Sequence, residues 1–219
     1  MRAANPGLST IAVIAKQPEP GRVKTRLIGT VTAEEAAQLA ECALRDTIKA
    51  LSQIPCRTRV VILDGQPGAW LQPDWTVIEQ AAGSLDERLS AGFDRLPRRP
   101  AVLVGMDTPQ IRAEHLRVDF NAFDACLGLA SDGGYWAIGF ADPRRARSVI
   151  SGVQMSRYDT GSQQHRRMIA AGLTVQLLPT LTDVDTPDTA DLVARQSPNT
   201  AFSHLWRTMM PTVEAGVSR

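Results

Sequence analysis

Histidine and cysteine are both scarce, at three residues each in 219. His115, His165 and His204 stand far apart, which supports neither a histidine metal triad nor a catalytic dyad. Cys42, Cys56 and Cys126 are odd in number and widely spaced, and no pair has a zinc-binding spacing. They read as reduced, packed thiols of a cytoplasmic protein. No stretch reaches the ~18 apolar residues of a membrane span. The opening MRAANPGLST lacks the apolar run of a secretory leader. Charge of one sign is lacking too, since 24 Lys and Arg against 23 Asp and Glu leave a net +1. Bulk electrostatics therefore do not make this a nucleic-acid binder, and any anion site has to come from local clustering. Internal repeats and low-complexity tracts are absent. The expectation is a cytoplasmic protein with no nucleic-acid and no membrane partner.

What is present is apolar material for a sizeable core, 43% of the chain. One domain over residues 1–219 is the simplest partition, with a core at 9–196 and a C-terminal helix and tail at 197–219. Short apolar runs alternate with helical periods. Ile11 to Ala15, Arg59 to Leu63, Thr76 to Glu79, Ala101 to Val104, Cys126 to Ala130, Tyr135 to Phe140 and Thr174 to Leu178 read as strands. Helices are expected after a Thr32/Glu35 capping box, over Ser84 to Leu96, Ile111 to Phe123, Pro143 to Val153, Ser162 to Ala171, Thr186 to Arg195 and Phe202 to Met210. Trp70 and Trp75 read as packing anchors. Alternation of this kind predicts an α/β fold with a mostly parallel sheet, whose ligands bind beyond the carboxyl ends of the strands.

The segments that follow those ends carry the chemistry. The first strand empties into KQPEPGRVKTRL, where Pro18 and Pro20 stiffen the chain and Gly21 lets it turn. If that loop is extended, Arg22, Lys24 and Arg26 share one side, and such cations suit a di- or triphosphate. A P-loop is excluded because the second glycine at the fixed spacing is missing. A solvated basic loop fits the same residues. In GMDTPQ, Asp107 either binds Mg²⁺ or Mn²⁺ or caps the next helix. In LTDVDTPDTADLV, Thr186, Pro187 and Asp188 suit a helix start. Asp183 and Asp185 are close carboxylates that repel unless a cation joins them. In SDGGYW, Asp132 beside Tyr135 and Trp136 fits either an Asp-Gly hairpin or a sugar-holding pair of carboxylate and aromatics. Arg88 either reaches a nucleotide or pairs with Asp86 or Glu87.

Taken together, AKQPEPGRVKTRL, GMDTPQ, SDGGYWAIGF and DVDTPDTADL closely resemble a bacterial family of glycosyltransferase-like proteins, over about Ile11 to Val193. Some members are described as arsenosugar-biosynthesis glycosyltransferases. The resemblance implies the GT-A, or nucleotide-diphospho-sugar transferase, fold: a Rossmann-like three-layer α/β/α sandwich. It implies a nucleotide site at Ala15, Lys16, Pro20, Gly21, Arg22, Lys24, Thr25, Arg26 and Arg88. It places a divalent metal, Mg²⁺ or Mn²⁺, on Asp107, and donor or acceptor contacts at Asp132, Gly133, Gly134, Tyr135 and Trp136. Asp107 and Asp132 are then the catalytic pair. The chain also resembles the nucleotidyltransferases of molybdenum-cofactor and deazaflavin-cofactor biosynthesis, whose Asp-x-Asp-Thr-Pro segment adds Asp185 to the metal. The implied partners are a nucleotide-sugar, or a nucleoside triphosphate, and a small-molecule acceptor, bound by a monomer or homodimer. The alternatives are a nucleotidyltransferase that releases pyrophosphate and a non-catalytic nucleotide-binding protein. Ser156-Arg157-Tyr158 departs from the family pattern, on what would be the acceptor side.

Overall fold

Seven strands form one sheet in the order β3-β2-β1-β4-β6-β5-β7. The computed structural model describes residues 7–210; the expected tail beyond them lies outside the described residues. The strands are β1 (Thr10–Lys16), β2 (Thr58–Asp64), β3 (Thr76–Glu79), β4 (Ala101–Gly105), β5 (Ala125–Ala130), β6 (Tyr135–Phe140) and β7 (Val175–Leu181). Only β6 runs against the rest; it pairs antiparallel with β4 and β5, while the other pairs are parallel. The helices are α1 (Ala33–Leu51), α2 (Leu85–Arg95), α3 (Ala146–Ile150), α4 (Thr160–Ala170), α5 (Pro187–Gln196) and α6 (Ala201–Met209).

Strand β1 shows why the molecule is layered. Ile11, Val13 and Ala15 face one side and pack with Ala40, Leu44 and Ile48 of α1. Ala12 faces the other and packs with Leu89 and Phe93 of α2 and Met168 of α4. Because successive side chains point to opposite faces, an uninterrupted apolar run is what a strand covered on both sides requires. The far side of α1 packs on α5 and α6 through Leu39, Ala43, Val193 and Phe202. The three-layer α/β/α expectation is met. The capping box also forms: the Glu35 amide donates to Thr32 Oγ1 at 3.1 Å, and the Thr32 amide to Glu35 Oε2 at 2.8 Å. Trp70 and Trp75 are buried in the core beside α1.

Three segments differ from expectation. Ile111 to Phe123 is not a helix; it holds one 3-10 turn, Ala113–Leu116, and then extends. Leu116, Val118 and Phe120 are buried in alternation, a period of two that favours extended chain. This stretch lies along the outer edge of β7, where the Asp119 amide donates to Gln176 Oε1 at 3.0 Å and Gln176 Nε2 to the Arg117 carbonyl at 2.7 Å. An open edge strand is thereby covered. Pro143 to Val153 divides into a 3-10 turn and the five-residue α3. Strand β7 runs through Pro179 to Leu181, which an edge position permits because proline has no amide to donate.

Gly128 of β5 backs onto the Trp136 indole. A Cβ there would stand 2.5 Å from Trp136 Cε2. Gly128→Ala is expected to lower the unfolding free energy by about 1–3 kcal/mol, the usual cost of overpacking a filled core. Chemical denaturation measures it; an unaltered midpoint would mean that the indole has room to move.

Candidate functional site

The strand order sets where a ligand can lie. From β1 the chain steps outward to β2 and β3, then returns to place β4 on the other side of β1. A crevice opens between the loops after β1 and β4, the switch point of the sheet. There a cleft of ≈ 880 Å³ is lined by the loop after β1, the loop after β4, the β5–β6 turn and the loop after β7.

The loop after β1 is folded, not extended. Gly21 turns it with φ 75°, and Lys24 turns it again with φ 49°, a left-handed conformation uncommon outside glycine. A 3-10 turn follows, Thr25–Leu27, anchored by Leu27 in the cluster of α1, α5 and α6. The expected alternation of Arg22, Lys24 and Arg26 along one side is therefore corrected. Arg22 turns to Glu19 at 2.6 Å, whereas Arg26 pairs with Asp185. Lys24 carries its ammonium to Asp107 and also donates to the Val184 carbonyl. Its side chain is 5% exposed, against 44% for Asp107. Arg22, Lys24, Thr25 and Arg26 nonetheless all line the cleft, as do Ala15 and Lys16. Pro20 and Gly21 shape the turn instead; a Cβ on Gly21 would meet open space, so its glycine answers to the backbone angle.

Arg88 also reaches the cleft. Its guanidinium donates to Gln80 Oε1 at 2.7 Å, and Gln80 is fixed in turn on the carbonyls of Ala15 and Ile62. The alternative pairing with Asp86 or Glu87 does not form among the described residues. Gln80 was missed by the sequence reading, since a lone glutamine after a weak strand carries no signal of its own.

Asp107 does not cap a helix, because none follows it. The Val184 amide donates to the Asp107 carbonyl at 2.9 Å, which ties the loop after β4 to the loop after β7. That tie brings Asp107, Asp183 and Asp185 into one cleft wall, with Asp132 in the β5–β6 turn. Asp188 faces away, in the first turn of α5 behind the Thr186 cap. Asp183 is the member that sequence reasoning noticed but did not assign. Withdrawal from water, then the carboxylates of Asp107 and Asp132, push its carboxyl up to about 7, with Lys24 opposing. Like charges gathered in a half-sheltered place have this effect.

Asp132 lies where expected, its Oδ1 accepting the Gly134 amide at 2.8 Å across a turn in which Gly133 has φ 92°. The hairpin reading and the cleft position both hold. The two aromatics beside it are largely taken up by packing. Trp136 is 2% exposed and its indole donates to the Pro179 carbonyl at 3.0 Å. The Tyr135 hydroxyl points to Met155 Sδ at 3.7 Å, and burial pushes its phenol pKa up. The aromatic that stands open at this end is Tyr158, 80% exposed.

Among the described residues no group of three or more His, Cys, Asp or Glu side chains is arranged to hold a metal ion by itself. The donor chemistry still suits a hard cation. Burial first, and the neighbouring carboxylates second, raise the Asp183 pKa; Mg²⁺ commonly takes one or two carboxylates and completes its shell with substrate phosphates and water. Asp107 and Asp185 are the carboxylates that could serve there; Asp107 pairs with Lys24 and Asp185 with Arg26.

Residues 36–157, more than half of the chain, match the family described as "Uncharacterized protein conserved in bacteria (DUF2064)". The chain belongs to this family. Among solved structures it is similar to a protein from Desulfovibrio desulfuricans G20 described as a "putative nucleotide-diphospho-sugar transferase", with 29% identity, 91% of this chain and 94% of that chain covered, and a TM-score of 0.80. It also shares its fold with 2-C-methyl-D-erythritol 4-phosphate cytidylyltransferase from Thermus thermophilus, at 14% identity, 85% and 97% coverage and a TM-score of 0.52. The inositol-1-phosphate CTP transferase from T. maritima is similar at 10% identity, 90% and 99% coverage and a TM-score of 0.51. No curated protein matches the chain.

The Asp183 carboxyl gives a pH signature. Its folded pKa, about 7, lies above the ordinary value of 3.8, so between those limits the folded chain binds more protons than the unfolded one. The stability it contributes is full below about pH 4 and is lost as pH rises through 7, at up to about 1.4 kcal/mol per pH unit. Asp183→Asn should therefore gain stability over the natural chain progressively from pH 4 to 7, then hold a constant margin. Parallel melting curves across that range test it; a margin independent of pH would assign the group an ordinary pKa.

Proposed function

We propose that this chain is a metal-assisted transferase that uses a nucleotide-activated donor, and that the donor is a nucleoside diphosphate-sugar. One observation carries the proposal: cations from the loop after β1 and carboxylates from the loops after β4 and β7 meet in a single cleft at the switch point. A diphosphate has the shape and charge to lie between them. The similarity to the Desulfovibrio protein, described as a "putative nucleotide-diphospho-sugar transferase", supports a sugar nucleotide as the donor.

The roles follow from position. Lys16, Arg22 and Arg88 line the cleft with the loop after β1 and α2, and would grip phosphate oxygens there, Arg22 turning from Glu19 to do so. Asp107 and Asp185 would hold a Mg²⁺ or Mn²⁺ ion, which when bound stabilises negative charge on the departing diphosphate. Lys24 and Arg26 supply fixed positive charge at the same place, oriented before reaction starts. Asp132 lies at the β5–β6 end, where the sugar or the acceptor comes. In the reaction the bond from the sugar carbon to the phosphate oxygen breaks and a bond to the acceptor oxygen forms. The acceptor proton passes to a base, for which Asp132 is the placed group in an inverting transfer, and the nucleoside diphosphate leaves.

The test is a panel of sugar nucleotides and nucleoside triphosphates with Mg²⁺ or Mn²⁺. Release of nucleoside diphosphate from a sugar nucleotide is expected; pyrophosphate from a triphosphate would instead make the chain a nucleotidyltransferase. Asp107→Ala should lower the metal-dependent rate by about 10²–10³, the usual loss for one charge-stabilising group. An unchanged rate across a metal titration would remove Asp107 from the mechanism.

A further inference from the structure

The far wall of the cleft is built by the segment between α3 and α4. This segment is bolted to the Asp132 turn. The Gly161 amide donates to the Gly133 carbonyl at 2.8 Å, and a Cβ on Gly161 would stand 2.5 Å from the Gly134 carbonyl. A Cβ on Gly133 would collide with the carbonyl of Tyr158. The buried Thr160 holds the same segment from inside: its hydroxyl donates to the Gln154 carbonyl at 2.8 Å and accepts the Arg157 amide at 3.0 Å. Ser156 sits at φ 58°, a left-handed angle that a residue with a side chain seldom adopts.

So fixed, Tyr158 lines the cleft with its ring 80% exposed, its backbone packed on Gly133, the residue after Asp132. Single exposed aromatics are ordinary on a surface. This one differs in place and in preparation: its backbone is packed against the turn that carries the cleft carboxylate, yet its ring covers nothing. Tyr135 and Trp136, the aromatics that the sequence offers for this purpose, also line the cleft, but Trp136 is 2% exposed and Tyr135 is half-buried with its hydroxyl turned to Met155.

We infer that Tyr158 is the platform of an acceptor subsite, and that it takes a hydroxylated ring: a sugar or a cyclic polyol. The CH face of such a ring lies on the aromatic face, and its hydroxyls reach the Asp132 carboxylate, an acceptor of hydrogen bonds when ionised. Sheet order supports the division. Lys16 and Arg88 stand over β1 and α2, whereas Asp132 and Tyr158 stand beyond β4; the cation at that end, Arg157, lies 3.5 Å from Asp159. The inference rests on the transferase reading above and adds the acceptor class and the residue that selects it.

Saturation-transfer difference NMR on the full chain tests this. The probes are the methyl glycosides of glucose, galactose, mannose and N-acetylglucosamine, together with myo-inositol, in the presence of Mg²⁺ and a nucleoside diphosphate. At least one probe is expected to receive saturation through its ring CH protons. Tyr158→Ala should weaken that probe by about tenfold, and Tyr158→Phe and Tyr158→Trp should retain it. The Tyr158→Ala melting temperature should stay within about 2 °C of the natural chain, since an open ring stabilises little. No signal from any probe overturns the inference, as does a signal that survives Tyr158→Ala. A melting temperature many degrees lower overturns it too, because the ring would then be packing. Thermal-shift titration of the natural chain with the same nucleotides separates the two readings. Nucleotide binding without a probe signal sinks the platform alone; absence of nucleotide binding sinks the transferase and the platform together.

Discussion

The arrangement of the cleft depends on one ion pair. The Lys24 ammonium reaches from the loop after β1 to the Asp107 carboxylate beyond β4 and the Val184 carbonyl beyond β7. Three chain segments far apart in sequence are thereby held at one point. The pair is unequal: Lys24 is almost sealed, while Asp107 keeps much of its contact with water. A sheltered ammonium gains little net stability from such a partner, because its desolvation offsets the attraction. Left without the partner, it would keep only the Val184 carbonyl to offset its sheltered charge. The pair is thus better understood as a positional constraint than as a source of stability. It also offsets part of the repulsion among Asp107, Asp132, Asp183 and Asp185, which still shows in the raised Asp183 pKa.

Most of the architecture was legible in the sequence because the sheet is covered on both faces. A strand in that position has to be apolar throughout, and runs such as RVVIL and AVLV announce it. The Thr32 and Glu35 pair was equally readable, since a capping box is a local exchange of two hydrogen bonds. Residues 111–123 were not readable in the same way. Their apolar positions suit a short helix, and only the neighbouring edge of β7, with Gln176 reaching across to Arg117 and Asp119, selects the extended form. Strand β7 itself was cut short in the sequence reading for a related reason. A proline argues against a strand until the strand is known to lie at an edge.

At the site, residue types were legible but their partners were not. The basic loop and the acidic segments announced themselves by composition. Which cation meets which carboxylate depended on Lys24 adopting a left-handed angle and on Leu27 being drawn under α1, neither of which local propensity foretells. The sequence separates Asp183 and Asp185 from Asp188, which suits a helix start; only the fold shows that Asp183 is the one drawn inward beside Asp107 and Asp132. Tyr135 and Trp136 stay at the cleft, but their rings are drawn toward the core. They adjoin Asp132 in the chain, but in a strand next to a glycine the larger ring fills the space that Gly128 leaves. Tyr158, distant in sequence, is the aromatic that the fold leaves open.

This division of labour bears on why sugar transfer and nucleotidyl transfer share so much of one fold. In both, a phosphate group takes on charge as it departs, and both need cations already in place where that charge appears. The crevice over β1 and β4, with Lys24 and Arg26 set among carboxylates, meets that need without regard to what is transferred. Chemistry can diverge only where the second reactant comes, at the end formed by the β5–β6 turn and the segment before α4. In this chain that end holds a carboxylate with no basic partner among the described residues and an open phenol ring. A hydroxylated ring would meet a hydrogen-bond acceptor in Asp132 and an apolar face in Tyr158, with the Arg157 guanidinium, 3.5 Å from Asp159, on the same wall.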